Sequence, residues 1–293
     1  MRPRKPQGEH AETSATVQFD SSVASGRHTA PSDAVAASAE GRAGGGKNGV
    51  SIHGCDVVQS GSGPLLAVTE IFASLQGEGP FMGQPAVFVR LAGCVPPFCA
   101  WCDTPQALHA DDCAMPMTPQ AVLEAVLRHP YRMVVITGGE PFRQWDAGLS
   151  ILADILAGVG RTIQYETSGK AGIPADCGGF VVCSPKPADA AMGGCAGALA
   201  LAAGDAARVD AFKFVIDCRT GHEQHDENAA LRSVLDFIGA HAVSPDKVWL
   251  MPRGSRKDEQ LRNMALVWEL CVQHGFNFAP RLHILTFDDR KGI

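Results

Sequence analysis

Cys94, Cys99 and Cys102 stand close together in the stretch GCVPPFCAWCDT. Two of them form a CxxC pair and the third lies just upstream. Thiolates are soft ligands, so the three can grip a metal or a cluster at three points. A three-point grip leaves one metal position open for chemistry, whereas a four-ligand site is closed. Structural zinc sites usually draw four ligands from two CxxC or CxxH pairs, and the chain has no second CxxC. His109 and Cys113 offer a fourth ligand only at a spacing that matches no common zinc pattern. A thioredoxin-like redox pair would leave Cys94 unexplained. An iron–sulfur cluster with one uncoordinated iron fits the spacing best.

A second candidate is TGGEP, Thr137 to Pro141. Glycines let backbone groups approach a ligand closely, and Glu140 offers a carboxylate to an amino group. Alone this is a generic turn after a strand. Beside the cysteine loop it becomes specific.

These motifs must be positioned by regular elements. LAVTEIFASL and AVFVRLAG read as strands, and the second ends directly before Cys94. TPQAVLEAVLRH has Thr118 at the N-cap and Pro119 at the first helical position, so a helix follows. MVVITGG, TIQYETSG, FVVCSPK, AFKFVID and KVWLMP are short apolar strands. WDAGLSILADILAGVG, ENAALRSVLDFIGAH and DEQLRNMALVWELCVQHG have helical periodicity, the first ending at Gly158 or Gly160. NFAPRLHI closes the series as a strand. Strands alternating with helices predict an α/β fold with a parallel sheet and right-handed crossovers. Strands apolar throughout are expected where both faces of the sheet are covered. Six or seven βα units fit, fewer than the eight of a closed barrel, so the expectation is a partial (β/α)6-like barrel. The loops after strands are where such folds place their chemistry. Residues 188 to 208, rich in Ala and Gly, read as a loop or a loosely specified helix.

Composition bounds the rest. The chain has 293 residues, 45% of them hydrophobic and 19% charged, as in globular proteins. A formal charge of -6 argues against a general binder of nucleic acid or anionic membrane. No apolar run is long enough to span a bilayer. Residues 1–63 contain no Ile or Leu before Ile52, so they cannot bury enough apolar surface to offset their ordering entropy. They are read as a disordered N-terminal extension, and 64–293 as the catalytic domain. Arg2, Arg4 and Lys5 precede no apolar h-region, so the start is no secretory signal, and Glu9, Glu12 and Asp20 weaken a transit-peptide reading. Ten cysteines scattered over a large chain suit a reducing, cytoplasmic protein better than a disulfide scaffold. The seven outside the triplet (Cys55, Cys113, Cys177, Cys183, Cys195, Cys218 and Cys271) are read as small apolar residues.

Trp101 before the last cysteine, together with GGEP, resembles the radical S-adenosylmethionine superfamily. That resemblance implies a 4Fe-4S cluster on the three cysteines and S-adenosylmethionine on its open iron. It implies a GGE segment at the methionine amino group, and a 5′-deoxyadenosyl radical that abstracts a substrate hydrogen. A narrower resemblance rests on EIFASLQGEGPFMGQPAVFVRLAGC, CAWCDT, TGGEP, ETSG and SPK, and covers residues 66 to 293. It is to the 7-carboxy-7-deazaguanine synthase family, carbon–nitrogen lyases of the 7-deazapurine (queuosine) pathway. Members convert 6-carboxy-5,6,7,8-tetrahydropterin to 7-carboxy-7-deazaguanine with loss of ammonia.

The family pattern implies a role for each matching residue. Leu75, Gln76 and Gly77 match its substrate segment. Arg90 matches the arginine on the substrate carboxylate, a role that suits a guanidinium fork. Thr104 matches the Mg²⁺ ligand and Thr137 a substrate contact. Gly139, Ser184, Pro185 and Lys186 match contacts to S-adenosylmethionine. Glu166 sits where the superfamily holds the ribose, His283 matches a histidine near the substrate, and the C-terminal carboxylate of Ile293 is a further candidate. One departure stands out: four residues, Val95 to Phe98, separate Cys94 from Cys99, where the superfamily commonly has three. Implied partners are the pterin and an electron donor such as flavodoxin or ferredoxin, with no direct nucleic-acid or membrane partner and a homodimer left open. Two alternatives remain, an activase of a glycyl-radical enzyme and a non-enzymatic zinc-binding module.

Overall fold

β-branched and aromatic residues at alternating positions build the strands, and their alternation gives the sheet two unlike faces. In the computed structural model, residues 63–99, 102–109, 114–186, 201–216 and 229–290 are described. All belong to one unit, Gln59–Ile293. The expected disordered extension, apart from Gly63, lies outside the described residues. Among the described residues, nine strands form one open sheet: β1 (Leu66–Leu75), β2 (Pro85–Leu91), β3 (Met115–Met117), β4 (Met133–Gly138), β5 (Thr162–Thr167), β6 (Phe180–Cys183), β7 (Ala211–Ile216), β8 (Val248–Pro252) and β9 (Asn277–Phe278). Their spatial order is β3-β1-β2-β4-β5-β6-β7-β8-β9. From β2 to β9 all neighbours are parallel, as expected. β1 instead pairs antiparallel with both β2 and β3. The short loop between β1 and β2 leaves no room for a crossover helix, so the chain turns back on itself. β3 was not expected from its MPM sequence.

The helices are α1 (Pro119–Leu127), α2 (Ser150–Gly158), α3 (Ala203–Ala206), α4 (Ala229–His241), α5 (Lys257–His274) and α6 (Leu282–Phe287). The Thr118 hydroxyl caps α1 by accepting from the Ala121 amide at 3.2 Å, as the sequence predicts. The segment before α2 departs from a regular helix. Trp145–Leu149 forms a wide turn kinked at Gly148, whose φ of 136° favours glycine. NFAPRLHI also departs: only Asn277–Phe278 pair in the sheet, and Leu282 opens α6. Pro280 cannot donate to a ladder, which ends the strand. Of the Ala/Gly-rich stretch, 188–200 lie outside the described residues and Ala203–Ala206 are helical.

Helices cover one face. Val87, Val89, Val134, Ile136, Phe212 and Phe214 pack there against Val122, Leu152, Val234 and Val267. The opposite face corrects the expectation of strands apolar on both sides. Near the amino ends of the strands it holds a small apolar cluster of Ala86, Met133 and Val135, with Phe81 and Phe88 packed against it. Nearer the carboxyl ends it is polar, and there the candidate residues gather.

Candidate active site

The cysteine loop leaves β2 and is stitched to its neighbours by backbone hydrogen bonds. Gly93 N donates to Ala107 O at 2.9 Å and Cys94 N to Leu108 O at 2.8 Å, closing the loop on itself. The TGGEP turn docks on its base, with Gly139 N donating to Leu91 O at 3.0 Å and Glu140 N to Gly93 O at 2.9 Å. A Cβ on Gly139 would stand 2.4 Å from Gly93 O, so only glycine permits this approach. Gly139, expected as a cofactor contact, thus also joins the two motifs. Glu140 is fully buried, but its carboxylate is already engaged. It accepts from Thr167 Oγ1 at 2.6 Å, from Ser168 N at 2.9 Å and from Ser168 Oγ at 2.5 Å. The side chain offered for an amino group therefore ties TGGEP to ETSG instead.

Cys94, Cys99 and Cys102 are half-buried thiols. Burial pushes the Cys94 and Cys102 thiols above their ordinary value, while Lys170 opposes this at Cys94 and Lys186 at Cys102. Both also feel Cys99. Among the described residues, no three His, Cys, Asp or Glu side chains converge on a single ion. One zinc ion would need its sulfurs within about 2.3 Å of a common centre. Three thiols on one loop are the donor type that iron–sulfur clusters take. His109 packs edge-on against Phe98 at 5.1 Å, and Cys113 and Trp101 lie outside the described residues.

Strand register builds the rest. On the polar face Arg90 of β2 stands opposite Thr137 of β4, and one strand further Glu166 of β5 lies beside Val182. Arg90 Nε donates to Glu70 at 2.6 Å, and its guanidinium lies 5.8 Å from the Phe72 ring centroid. Next to this row is a buried charge network. Lys213 Nζ, 5% exposed, donates to Glu78 Oε2 and Glu166 Oε2, each at 2.7 Å. Glu166 Oε1 accepts from Gln76 Nε2 at 3.2 Å and from Gln164 Nε2 at 2.7 Å. Burial alone would raise the Glu78 carboxyl, but Lys213 and Arg281 outweigh it and hold the group below the carboxylate range. Burial and nearby Glu78 keep the Glu166 carboxyl raised, although the shared ammonium and Gln76 oppose this. Burial disfavours the Lys213 cation, yet the two carboxylates hold it charged above the usual lysine range.

The C-terminal segment closes the network. Arg281 Nε donates to Glu78 Oε1 at 2.8 Å, Nη1 donates to Gly254 O at 3.2 Å, and Nη2 donates to Asp103. Burial raises the Asp103 carboxyl, and Arg281 reverses that to a net lowering. Leu282 N donates to Gly77 O at 2.9 Å. His283 presses on Gly77, where an added Cβ would meet Nδ1 at 2.4 Å. Burial lowers the His283 pKa, which favours its neutral imidazole.

The remaining expected residues stand in the cysteine loop or at strand ends. Thr104 Oγ1 donates to Asp103 Oδ1 at 3.1 Å, which sets a hydroxyl beside a carboxylate. Such oxygens suit Mg²⁺. Ser184 N donates to Thr167 O at 2.7 Å, Lys186 Nζ donates to Ser184 Oγ at 2.6 Å, and Pro185 between them is buried. Leu75 is different. Its side chain alternates away from the Glu70, Phe72 and Ser74 face and is 50% exposed. Ile293 lies outside the described residues.

No family model matches the chain. The 7-carboxy-7-deazaguanine synthase of Pyrobaculum aerophilum is 33% identical over 232 residues, covering 78% of this chain and 98% of that protein. Its namesake in Hyperthermus butylicus is 34% identical over 232 residues, covering 76% and 93%. The chain belongs to the 7-carboxy-7-deazaguanine synthase family. A third member, from Halobacterium salinarum, is 30% identical over 248 residues, covering 78% of this chain and 93% of the relative. The crystal structure of QueE from Escherichia coli superposes with a TM-score of 0.56 at 27% identity, covering 75% of this chain and 95% of that one. The family's fold is therefore this open, mostly parallel sheet.

Sequence reasoning missed Glu78, Asp103, Gln164, Lys213 and Arg281. Lys213 carried a signal, a cation inside the apolar strand AFKFVI, where a buried charge demands partners. Glu78 and Asp103 adjoin motifs that were read. For Arg281 nothing local pointed to Glu78, which is 203 residues away.

Proposed function

We propose that the chain is a 7-carboxy-7-deazaguanine synthase of the radical S-adenosylmethionine class, which converts 6-carboxy-5,6,7,8-tetrahydropterin to 7-carboxy-7-deazaguanine with loss of ammonia. The observation that carries this reading is near-complete coverage of a relative of that name, 98% of its length. The three thiols and the polar row on one face of the sheet supply matching chemistry. Cys94, Cys99 and Cys102 would hold a 4Fe-4S cluster, which with S-adenosylmethionine supplies a hydrogen-abstracting radical.

The chain's own residues bind, orient and shield. Arg90 presents a guanidinium to the pterin carboxylate, in competition with Glu70. Thr137 stands beside it in the row and positions the bound ring. Glu166, with its carboxyl raised by burial, and Lys213 Nζ, held between two anions, form the charged wall beside the row. Ser184, Pro185 and Lys186 line the cofactor side next to Cys102. Thr104, with Asp103 beside it, offers oxygens to Mg²⁺. Phe81 and Phe88 pack on the apolar cluster beside the row. An external one-electron donor such as flavodoxin or ferredoxin, and a cytoplasmic location, complete the reading.

Anaerobic reconstitution with iron and sulfide tests it. Wild-type protein should bind both and release a product with the mass of 7-carboxy-7-deazaguanine, with no protein substrate present. Cys94→Ala, Cys99→Ala and Cys102→Ala should each abolish S-adenosylmethionine cleavage under dithionite, and cleavage by any of them overturns the assignment. Arg90→Ala should raise KM for the pterin sharply while the cluster spectrum stays intact. A protein that binds one zinc ion and no iron would be the zinc-binding module instead.

A further inference from the structure

Val95 to Phe98 form a spacer one residue longer than the superfamily commonly uses. Pro96 and Pro97 have no backbone N–H, so the spacer has few donors with which to fasten itself. Its carbonyls are held from outside. Lys170 Nζ donates to Pro97 O at 2.5 Å and to Val95 O at 3.4 Å. Arg143 Nη1 donates to Cys94 O at 3.0 Å. These are charge-assisted bonds, stronger than neutral ones. Both cations are themselves anchored by one buried group. Glu140 fixes Ser168 by its amide and hydroxyl, and Lys170 follows two residues later, its own amide 3.4 Å from Ser168 Oγ. On the other side Glu140 opens the short turn Pro141–Gln144 that carries Arg143.

We infer that Lys170 and Arg143 are positioning residues that clamp the lengthened Val95–Phe98 spacer and hold Cys94 within reach of Cys99 and Cys102. The clamp accounts for the extra residue: added length would let Cys94 wander, and two fixed cations restore its place. It rests on the reading that the three thiols share one cluster. Glu140 serves the site through this scaffold.

The test uses the full chain in two arms. In the first, metal-free protein is treated with a thiol reagent and labelling of Cys94 is followed by peptide mass. Lys170→Met should label roughly tenfold faster, the scale of one charge-assisted hydrogen bond, while Lys170→Arg labels like wild type. In the second, reconstituted protein is exposed to an iron chelator and followed by its visible and paramagnetic resonance spectra. Lys170→Met should lose iron faster and show an altered signal, with rescue by Lys170→Arg. Arg143→Met should do the same more weakly. Deleting Pro97 removes the principal acceptor, so Lys170→Met should add nothing in that background. Should Lys170→Met lose its circular dichroism, Lys170→Gln replaces it in both arms. Labelling and iron release unchanged by the Met variant, or equally disturbed by the Arg variant, overturn the clamp. Wild-type protein that takes up no iron would sink the functional reading, while the labelling arm still decides the clamp.

Discussion

Lys213 carries an ammonium in the middle of an apolar strand, between Glu78 and Glu166. Removing it would leave two buried carboxylates facing one another. Lys213→Met should cost about 3–5 kcal/mol in urea unfolding, far more than an exposed lysine. The pH dependence has a definite sign. The folded pKa of Glu78 lies below its ordinary 4.5, so its stabilisation is complete above that pH and drains away as pH falls below it. The folded pKa of Lys213 lies above its ordinary 10.5, so its contribution is complete below that pH and is lost only in strong base. Glu166 is shifted upward, so it costs stability when ionised and relieves that cost in acid. Glu78→Gln should therefore flatten the acid limb of a stability profile, and Glu166→Gln should not. Urea midpoints from neutral pH down to about pH 3 decide this.

Between elements, the contact that matters most is the one between the β1–β2 loop and α6. Gly77→Ala would drive a methyl into the His283 ring, at a cost of about 1–3 kcal/mol from overpacking. It should also raise KM for the pterin. The double variant Gly77→Ala with His283→Ala should recover most of the stability, and a double-mutant cycle measures the coupling. Much at this scale was legible in the sequence. The Thr118–Pro119 start of α1, the strands ending at Cys94 and at TGGEP, and the parallel run all follow from local chemistry. The antiparallel β1 and the conversion of RLHI from strand to helix did not, because both depend on what the segments pack against. The polar face was equally hidden. Arg90, Thr137, Glu166 and Lys213 sit singly in four strands, and only register sets them on one surface.

Across the whole molecule, Arg281 joins Glu78 before β2, Asp103 after Cys102 and Gly254 after β8. It links the β1–β2 loop, the cysteine loop and the β8 end of the sheet. Arg281→Met should leave the far-ultraviolet dichroism intact but lower turnover by about tenfold or more, the scale of losing a charge-assisted hydrogen bond that fixes Glu78, which then keeps only Lys213. On the proposed Mg²⁺ role of Thr104 and Asp103, the Mg²⁺ concentration needed for turnover should rise with it, because Asp103 loses its Arg281 partner. Turnover and Mg²⁺ dependence like wild type would show that Arg281 only fills space. By itself the sequence determined the chemistry within each motif: three thiols beside a strand, a glycine turn that permits close approach, and a capped helix start. These depend on residue type and on neighbours within a few positions. Only the tertiary structure decided that Glu140 serves as an internal tie, that Lys213 has two carboxylates to neutralise, and that Lys170 and Arg143 hold the spacer. Each of these is settled by partners distant in the chain, which burial in a shared low-dielectric space forces into pairs.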